Sequence, residues 1–283
     1  MEIVPRFLAL AVLSLGAFVL SAANASAGTI VISNNFDGVA DPGETTFQLL
    51  TNDAPAGGSF DPATGVVEVG GADGGTTATG FNNTALAPVA ADATSITATF
   101  NISSVDNVLF SRSNGFFLGL ATGAGATDPT GAGLFNNTAA SVGLRFNSGT
   151  SNTGALTATQ VITEGAAGGA TGLESLAGAD LPAVADVEDG FTFTITLTSA
   201  NTVDAFTTGL TTDINLTGGV LADPAFADFI ADGVGVTLSF QGGGAGFTID
   251  SVEVDVKANV IPEPASLALI GLGALAMVGR RRR

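Results

Sequence analysis

The sequence predicts an all-β protein, a two-sheet β-sandwich of jelly-roll type, with an N-terminal signal helix and a C-terminal transmembrane helix. Three observations predict it. Phe191-Thr192-Phe193-Thr194-Ile195-Thr196-Leu197-Thr198 alternates apolar and hydroxyl side chains without a break, as a strand does when one face meets a core. About ten such short segments follow one another, separated by turns drawn from 39 glycines. Helical spacing in the intervening chain is confined to one stretch, which opens at Asp223.

The chain begins with a signal-peptide pattern. Met1 to Arg6 is a short n-region and Phe7 to Leu20 an apolar run. Ala23-Asn24-Ala25 and Ala25-Ser26-Ala27 offer small residues to signal peptidase, so cleavage is expected after Ala27, with Ala25 as the alternative. Residues 1–27 are therefore read as a signal peptide and 28–258 as one secreted domain. The chain has no Cys, which excludes a lipoprotein anchor and any disulfide, so the core must hold itself.

The mean hydropathy of +0.46 owes much to the two terminal segments and to Ala. Between residues 28 and 262 only Arg112, Arg145 and Lys257 are basic. Against these 3 stand 24 acidic residues, the chain's 26 less Glu2 and Glu263, for a formal charge of −21. That field repels nucleic acid and anionic lipid and attracts divalent cations.

Thr29 to Ile32 reads as a first strand, followed by a loop holding Asp37, Asp41-Pro42-Gly43 and Glu44. Thr45 to Thr51 is a second strand. Asp61-Pro62-Ala63-Thr64-Gly65 has turn chemistry before a strand over Val66 to Val69. Gly70 to Gly80 is too rich in Gly and Thr to assign. Phe81-Asn82-Asn83-Thr84-Ala85 recurs as Phe135-Asn136-Asn137-Thr138-Ala139, but the flanks do not match, so both copies read as turns rather than as a repeat. Ser95 to Ser103 alternates well, Phe116 to Leu120 and Val142 to Phe146 read as inner strands, and Leu156 to Thr163 as another.

Beyond the Phe191 strand, Asp223-Pro224-Ala225-Phe226 is expected to open the helix, with Asp223 as cap and Pro224 in the first turn. Phe226, Phe229 and Ile230 would share one face, and Gly233 would end it. Val234 to Phe240 and Phe247 to Val256 close the domain as strands.

The residues missing from this chain narrow its chemistry. With no His and no Cys, Ser-His-Asp and Cys-His arrangements, thiolate nucleophiles and the usual zinc clusters are excluded. Lys257 is the only Lys, no phosphate-binding Gly-x-x-x-x-Gly-Lys-Ser/Thr occurs, and the glycine runs show no dinucleotide fingerprint. Carboxylates remain. Glu253-Val254-Asp255 puts two acids on one face of a strand, as a glycosidase pair requires. It is similar to the start of the Glu-x-Asp-x-x-Glu motif of jelly-roll β-glucanases, but the third acid's position is Ala258. The domain also has no Trp and no Tyr to stack on sugars. Glu253 and Asp255 therefore read as a solvated strand face, and no catalytic residue is assigned. Asp186-Val187-Glu188-Asp189-Gly190 is the densest acidic cluster and could offer oxygens to Ca²⁺. It lacks EF-hand spacing and reads as a polar turn, while the loop around Asp37 and Asp41 is a second Ca²⁺ candidate; no metal ligand is assigned.

The last segment, 259–283, is ordered as a signal. Pro262-Glu263-Pro264 gives an extended, accessible peptide. The apolar run Ala265 to Gly279 would span about 22 Å as a helix, short of the roughly 30 Å hydrocarbon core. Arg280, Arg281, Arg282 and Arg283 can snorkel to the headgroups and hold the C-terminus cytoplasmic. Ile261-Pro262-Glu263-Pro264-Ala265-Ser266, the Leu/Gly/Ala-rich helix and the terminal arginines resemble the PEP-CTERM sorting domain of bacterial exported proteins. The resemblance implies recognition of Pro262 to Pro264 by an exosortase, removal of the helix and a Gram-negative host that makes exopolysaccharide. The expected life of the protein follows from this. It is exported past signal peptidase, held transiently in the inner membrane, and left at the cell surface or in the extracellular matrix. The role expected there is non-enzymatic, as a structural or adhesive component of the envelope or exopolysaccharide matrix. A lectin-like carbohydrate-binding module is the alternative, and a carboxylate-only glycosidase a third.

Overall fold

A computed structural model describes residues 27–39, 42–51, 59–68, 78–83, 86–105, 116–123, 140–148, 156–164, 170–241 and 246–259. The chain divides into a compact unit, Thr29–Val256, and a second made of Met1–Gly28 with Lys257–Arg283. Ala25, Pro262, Glu263, Pro264 and Arg280 to Arg283 lie outside the described residues, as do both expected apolar helices. No helix among the described residues is long and apolar enough to cross a membrane.

Fifteen strands are described. In chain order, the first six are β1 (Ala27–Asn34), β2 (Phe47–Thr51), β3 (Ser59–Asp61), β4 (Val66–Glu68), β5 (Ala78–Asn83) and β6 (Ala93–Val105). Then come β7 (Phe116–Ala121), β8 (Ser141–Ser148), β9 (Leu156–Glu164) and β10 (Ala170–Leu176). A short helix, α1 (Val184–Glu188), precedes β11 (Phe191–Thr198), β12 (Thr202–Thr208) and β13 (Asn215–Val220). A second, α2 (Phe226–Asp232), precedes β14 (Gly235–Gln241) and β15 (Gly246–Ala258).

The strands form two antiparallel sheets. One has the order β13-β12-β11-β6-β15-β4-β3, with β1 also paired to β15; the other has the order β10-β9-β8-β7-β14-β5-β2. Alternation explains the register. Ile195 pairs with Ala98 and Ala205, and Phe193 with Phe100, so the apolar set of each strand turns to the same side. All of these side chains are buried. The core between the sheets is built on phenylalanine. Phe116 meets Phe247 of the facing sheet edge to face at 5.4 Å, and Phe146 meets Phe191 likewise at 5.2 Å. Without Trp, Tyr or disulfides, these rings supply the largest buried apolar bodies, each worth about 1.5–3 kcal/mol on burial.

The opposite faces of β6 and β11 carry the hydroxyls. Thr97 Oγ1 lies 3.1 Å from Thr196 Oγ1, Thr192 Oγ1 donates to Asn101 Oδ1 at 2.8 Å, and Asn101 Nδ2 donates to Ser251 Oγ at 2.7 Å. Cross-strand hydroxyl pairs of this kind fix register at small individual gain, about 0.2–1 kcal/mol each.

The expected two-sheet architecture is present, and the structure corrects several expectations of detail. Phe81 to Asn83 belongs to β5 rather than to a turn, while its echo at Phe135 lies outside the described residues. Asp186 to Glu188 is helical, not a turn. Asp223 does not cap α2: the helix starts after Ala225, whose N–H donates to Asp228 Oδ2 at 2.7 Å, and Asn201 Oδ1 accepts from Phe226 N at 2.9 Å. The cap therefore comes from inside the helix and from the β11–β12 hairpin. Phe226 and Phe229 are buried, and Gly233, with φ of 85°, ends the helix as its spacing required.

Candidate functional site

A cavity of about 360 Å³ opens where the loop after β1 meets the β3–β4 hairpin. Its size falls in the ordinary range of ligand pockets. The loop is closed at its base by one backbone and one side-chain hydrogen bond: Thr45 N donates to Ser33 O at 2.8 Å, and Ser33 N donates to Thr45 Oγ1 at 3.2 Å. Asn34 ties the two arms together, since its Nδ2 donates to Thr45 O at 3.0 Å. The Asn34 Oδ1 accepts from Phe36 N at 2.7 Å, a tight side-chain turn.

This turn drives Phe36 to a φ of +47°, a costly region for a bulky residue, about 1–3 kcal/mol. Burial offsets it. The Phe36 ring is 5% exposed and packs against Phe47 at 5.6 Å and Phe60 at 6.0 Å. The three rings pack together beneath the cavity; Phe36 and Phe47 belong to the core, and Phe60 is the half-buried one.

Acidic residues line the same cavity. Asp37 Oδ1 accepts from Val39 N at 2.9 Å, and its Oδ2 accepts from Asn35 Nδ2 at 3.1 Å. Glu44 Oε1 accepts from Asn35 N at 3.3 Å. These bonds position both carboxylates in the loop. A carboxylate has about four acceptor sites, so the two bonds to Asp37 leave it able to accept from a ligand. Val39, 60% exposed, adds an apolar side chain to the cavity's edge.

The hairpin wall depends on Gly65. It has a φ of +64°, and a Cβ there would fall onto the carbonyl oxygen of Ile249 and within 3.2 Å of Phe36 Cβ. Ile249 N donates to Gly65 O at 3.1 Å, so this glycine lets the hairpin lie flush against β15. Asp61 shapes the turn itself, with Oδ1 accepting from Ala63 N at 2.9 Å and Oδ2 from Thr64 Oγ1 at 2.9 Å.

Of the acidic residues singled out from sequence, Asp37 and Glu44 reach this cavity; Asp41 lies outside the described residues. Glu253 and Asp255 sit on the non-core face of β15, with Val252, Val254 and Val256 turned inward. Asp186 accepts from Thr211 N at 2.8 Å through Oδ2, and Asp189 follows the last turn of α1. No group of three or more carboxylates that could hold a metal ion occurs among the described residues. Ala27 opens β1. Sequence reasoning did not place Phe60, Val39 or Asn34 at a site. The legible signal was Asn34-Asn35-Phe36-Asp37-Gly38, a run of turn formers around one large ring.

Comparison with known proteins adds identity at one end and fold in the middle. Residues 260–283 match the PEP-CTERM protein-sorting motif. The chain carries a PEP-CTERM sorting domain. That match takes in Pro262 to Pro264 and all four terminal arginines. No curated protein sequence matches the chain. Among solved structures, the sandwich is similar to arcelin-5, a lectin-like defense protein from Phaseolus vulgaris, at TM-score 0.53 and 9% identity. That likeness covers 82% of this chain and 99% of arcelin-5. It is also similar to a lectin from Bauhinia forficata solved with GalNAc, at TM-score 0.50 and 17% identity over 83% of this chain and 100% of the lectin. An endo-1,3-β-glucanase from Streptomyces sioyaensis superposes at TM-score 0.46 and 14% identity, over 81% of this chain and 96% of that one. The first two likenesses show the fold alone, a two-sheet antiparallel sandwich shared with both of those proteins.

Proposed function

We propose that this PEP-CTERM protein is a non-enzymatic, adhesive component of the cell envelope or exopolysaccharide matrix that acts by binding glycan. The observation that carries the reading is the union, in one chain, of a sorting motif at 260–283 and a two-sheet sandwich of lectin type. In this reading signal peptidase removes 1–27, and the short apolar run holds the protein in the inner membrane with Arg280 to Arg283 on the cytoplasmic side. Exosortase then cuts near Pro262 to Pro264 and leaves the sandwich at the surface or in the matrix. The lectin from Bauhinia forficata was solved with GalNAc; for the present chain the corresponding role is glycan attachment, with ligand and site its own.

The chemistry of the chain supports attachment over turnover. It has no His and no Cys, the paired acids Glu253 and Asp255 lie on the outer face of β15 rather than in the cavity, and the cavity's own carboxylates, Asp37 and Glu44, are engaged in hydrogen bonds that shape their loop. A glycosidase needs two carboxylates facing one bond from opposite sides of a sugar. The test is a glycan array probed with the mature protein purified from its host, with and without Ca²⁺, alongside a hydrolysis assay on the bound glycans. Binding without hydrolysis is the expected result. Hydrolysis abolished by Glu253→Gln would replace adhesion with catalysis.

A further inference from the structure

We infer that Asn215 is an acceptor for N-linked glycan, modified after export by transfer from a lipid-diphosphate-linked oligosaccharide. The inference rests on the export part of the reading above and not on glycan binding. Residues 28–258 hold four Asn-x-Ser/Thr triplets, the pattern that N-glycosylation requires, at Asn82, Asn101, Asn136 and Asn215. The structure separates them. Asn82 lies in β5, paired on one side with Thr237 of β14 and on the other with Gln48 of β2. Asn101 is half-buried, and both ends of its carboxamide are taken, by Thr192 Oγ1 at 2.8 Å and by Ser251 Oγ at 2.7 Å. Asn136 lies outside the described residues. Asn215 is exposed at the start of β13, which ends the strand order of its sheet and pairs on one side, with β12. No hydrogen bond occupies its carboxamide among the described residues.

The neighbours of Asn215 suit an acceptor. Ile214 and Leu216 are buried, while Asp213, Asn215 and Thr217 are exposed, so the triplet and the acid before it share the outward face. Thr217 supplies the hydroxyl of the triplet. Asp213 is the one acid two residues before an acceptor, since Gly80, Thr99 and Leu134 hold that position in the other three triplets. Its Oδ1 accepts from Thr207 Oγ1 at 3.1 Å and from Leu210 N at 3.3 Å, which fixes a carboxylate where a cationic side chain of a transferase can grip it. A separate observation points to the sugar. Phe206 stands directly opposite Asn215 in the β12–β13 register, so the two side chains leave the same face with Cβ atoms about 4.5–5.5 Å apart. It is 39% exposed, on a strand whose Val203, Ala205 and Thr207 are all buried. The first sugar on Asn215 Nδ2 lies within reach of that ring and covers its apolar face. In the transfer, a bond forms from Nδ2 to the sugar C1 and the C1–O bond to the diphosphate breaks. The lipid diphosphate leaves with that electron pair, and the amide proton ends on it.

The experiment is glycopeptide mass spectrometry on the protein purified from the surface and matrix fractions of its host, with the N-terminus read in the same spectra. The expected result is a chain that has lost residues 1–27 and carries a sugar mass on Asn215. Asn215→Gln and Thr217→Ala are each expected to abolish the addition, and Thr217→Ser to keep it. Asp213→Asn, which preserves the Oδ1 acceptor, is expected to lower occupancy about tenfold through loss of the charge-assisted contact. All three positions are exposed, so the variants are expected to fold, which thermal melting checks. The glycosylated chain is expected to melt higher than Asn215→Gln, a difference that Phe206→Ser removes while the sugar stays in place. A bare Asn215 in a chain that has lost residues 1–27 would overturn the inference and leave export and glycan attachment standing. Sugar on Asn101 or on a hydroxyl, with Asn215 bare, would overturn it as well. A chain that still begins at Met1 would defeat the export reading together with this one.

Discussion

Phe60 meets Phe36 edge to face, with ring centroids 6.0 Å apart and planes at 82°, and this contact ties the β3–β4 hairpin to the loop that carries Asp37 and Glu44. The two residues are 24 positions apart and belong to segments that no local pattern connects. Their contact makes a cavity out of two turns.

Removing that ring should therefore cost binding more than folding. Phe60 is half-buried at the margin of the core, so Phe60→Ala is expected to destabilise by about 1–3 kcal/mol, less than a fully buried ring would. Glycan affinity should fall at least tenfold. Phe60→Leu, which keeps much of the packing and loses the aromatic face, should restore the stability and not the affinity. Denaturant titration and calorimetric binding on the same samples separate the two effects.

Gly65→Ala should act on the site through the backbone. A residue with a side chain pays about 1–3 kcal/mol for the positive φ alone, and its Cβ would collide with the Ile249 carbonyl. The expected outcome is a lower denaturation midpoint with an unchanged slope, together with weakened binding as the hairpin lifts from β15. An alanine tolerated at wild-type stability would mean that the hairpin does not need this close approach.

Sheet membership was legible wherever alternation was strict, and the site was not. Phe191 to Thr198 could be read residue by residue because four apolar and four hydroxyl side chains leave a one-residue slip nowhere to go. β3, β10 and β13 carried no such signal: three residues in the first, and in the others glycines such as Gly172, Gly218 and Gly219 that contribute no side chain to a pattern. Those strands exist because neighbours offer them unpaired backbone groups. α1 was hidden for a different reason. Val187 is its only buried residue, too few to show a helical period, so Asp186 to Asp189 looked like a solvated turn. The cavity was least legible because it depends on Phe36 taking a positive φ and on Phe60 arriving from another hairpin, neither of which composition records.

The core and the hydroxyl face should respond on very different scales. Phe193, fully buried and stacked with Phe100 at 5.9 Å, is expected to cost about 3–5 kcal/mol as Phe193→Ala. On the other face, Thr97→Val with Thr196→Val in a double-mutant cycle should give a coupling of about 0.2–1 kcal/mol. A coupling near zero would mean that the ladder is solvation chemistry rather than a source of register.

Glu253→Gln and Asp255→Asn should be silent. Both lie on the outer face of β15, and substitutions on such faces usually change stability by less than about 0.5 kcal/mol. Glycan affinity should be unaffected as well, which a binding isotherm on the double variant checks. A loss of affinity comparable to that of Phe60→Ala would move the site from the cavity to this sheet.

The central claim joins export, processing and attachment, and the mature C-terminus tests it most directly. Intact-mass measurement on protein from the extracellular matrix, the surface and the inner membrane, in cells with and without exosortase, reads all three. The account expects a chain ending near Pro262 to Pro264 in the matrix or surface fraction, and a full-length chain retained in the inner membrane when exosortase is missing. A chain still ending at Arg283 in the inner membrane of normal cells would contradict it, because the sandwich would then be a membrane-anchored domain that never reaches the matrix.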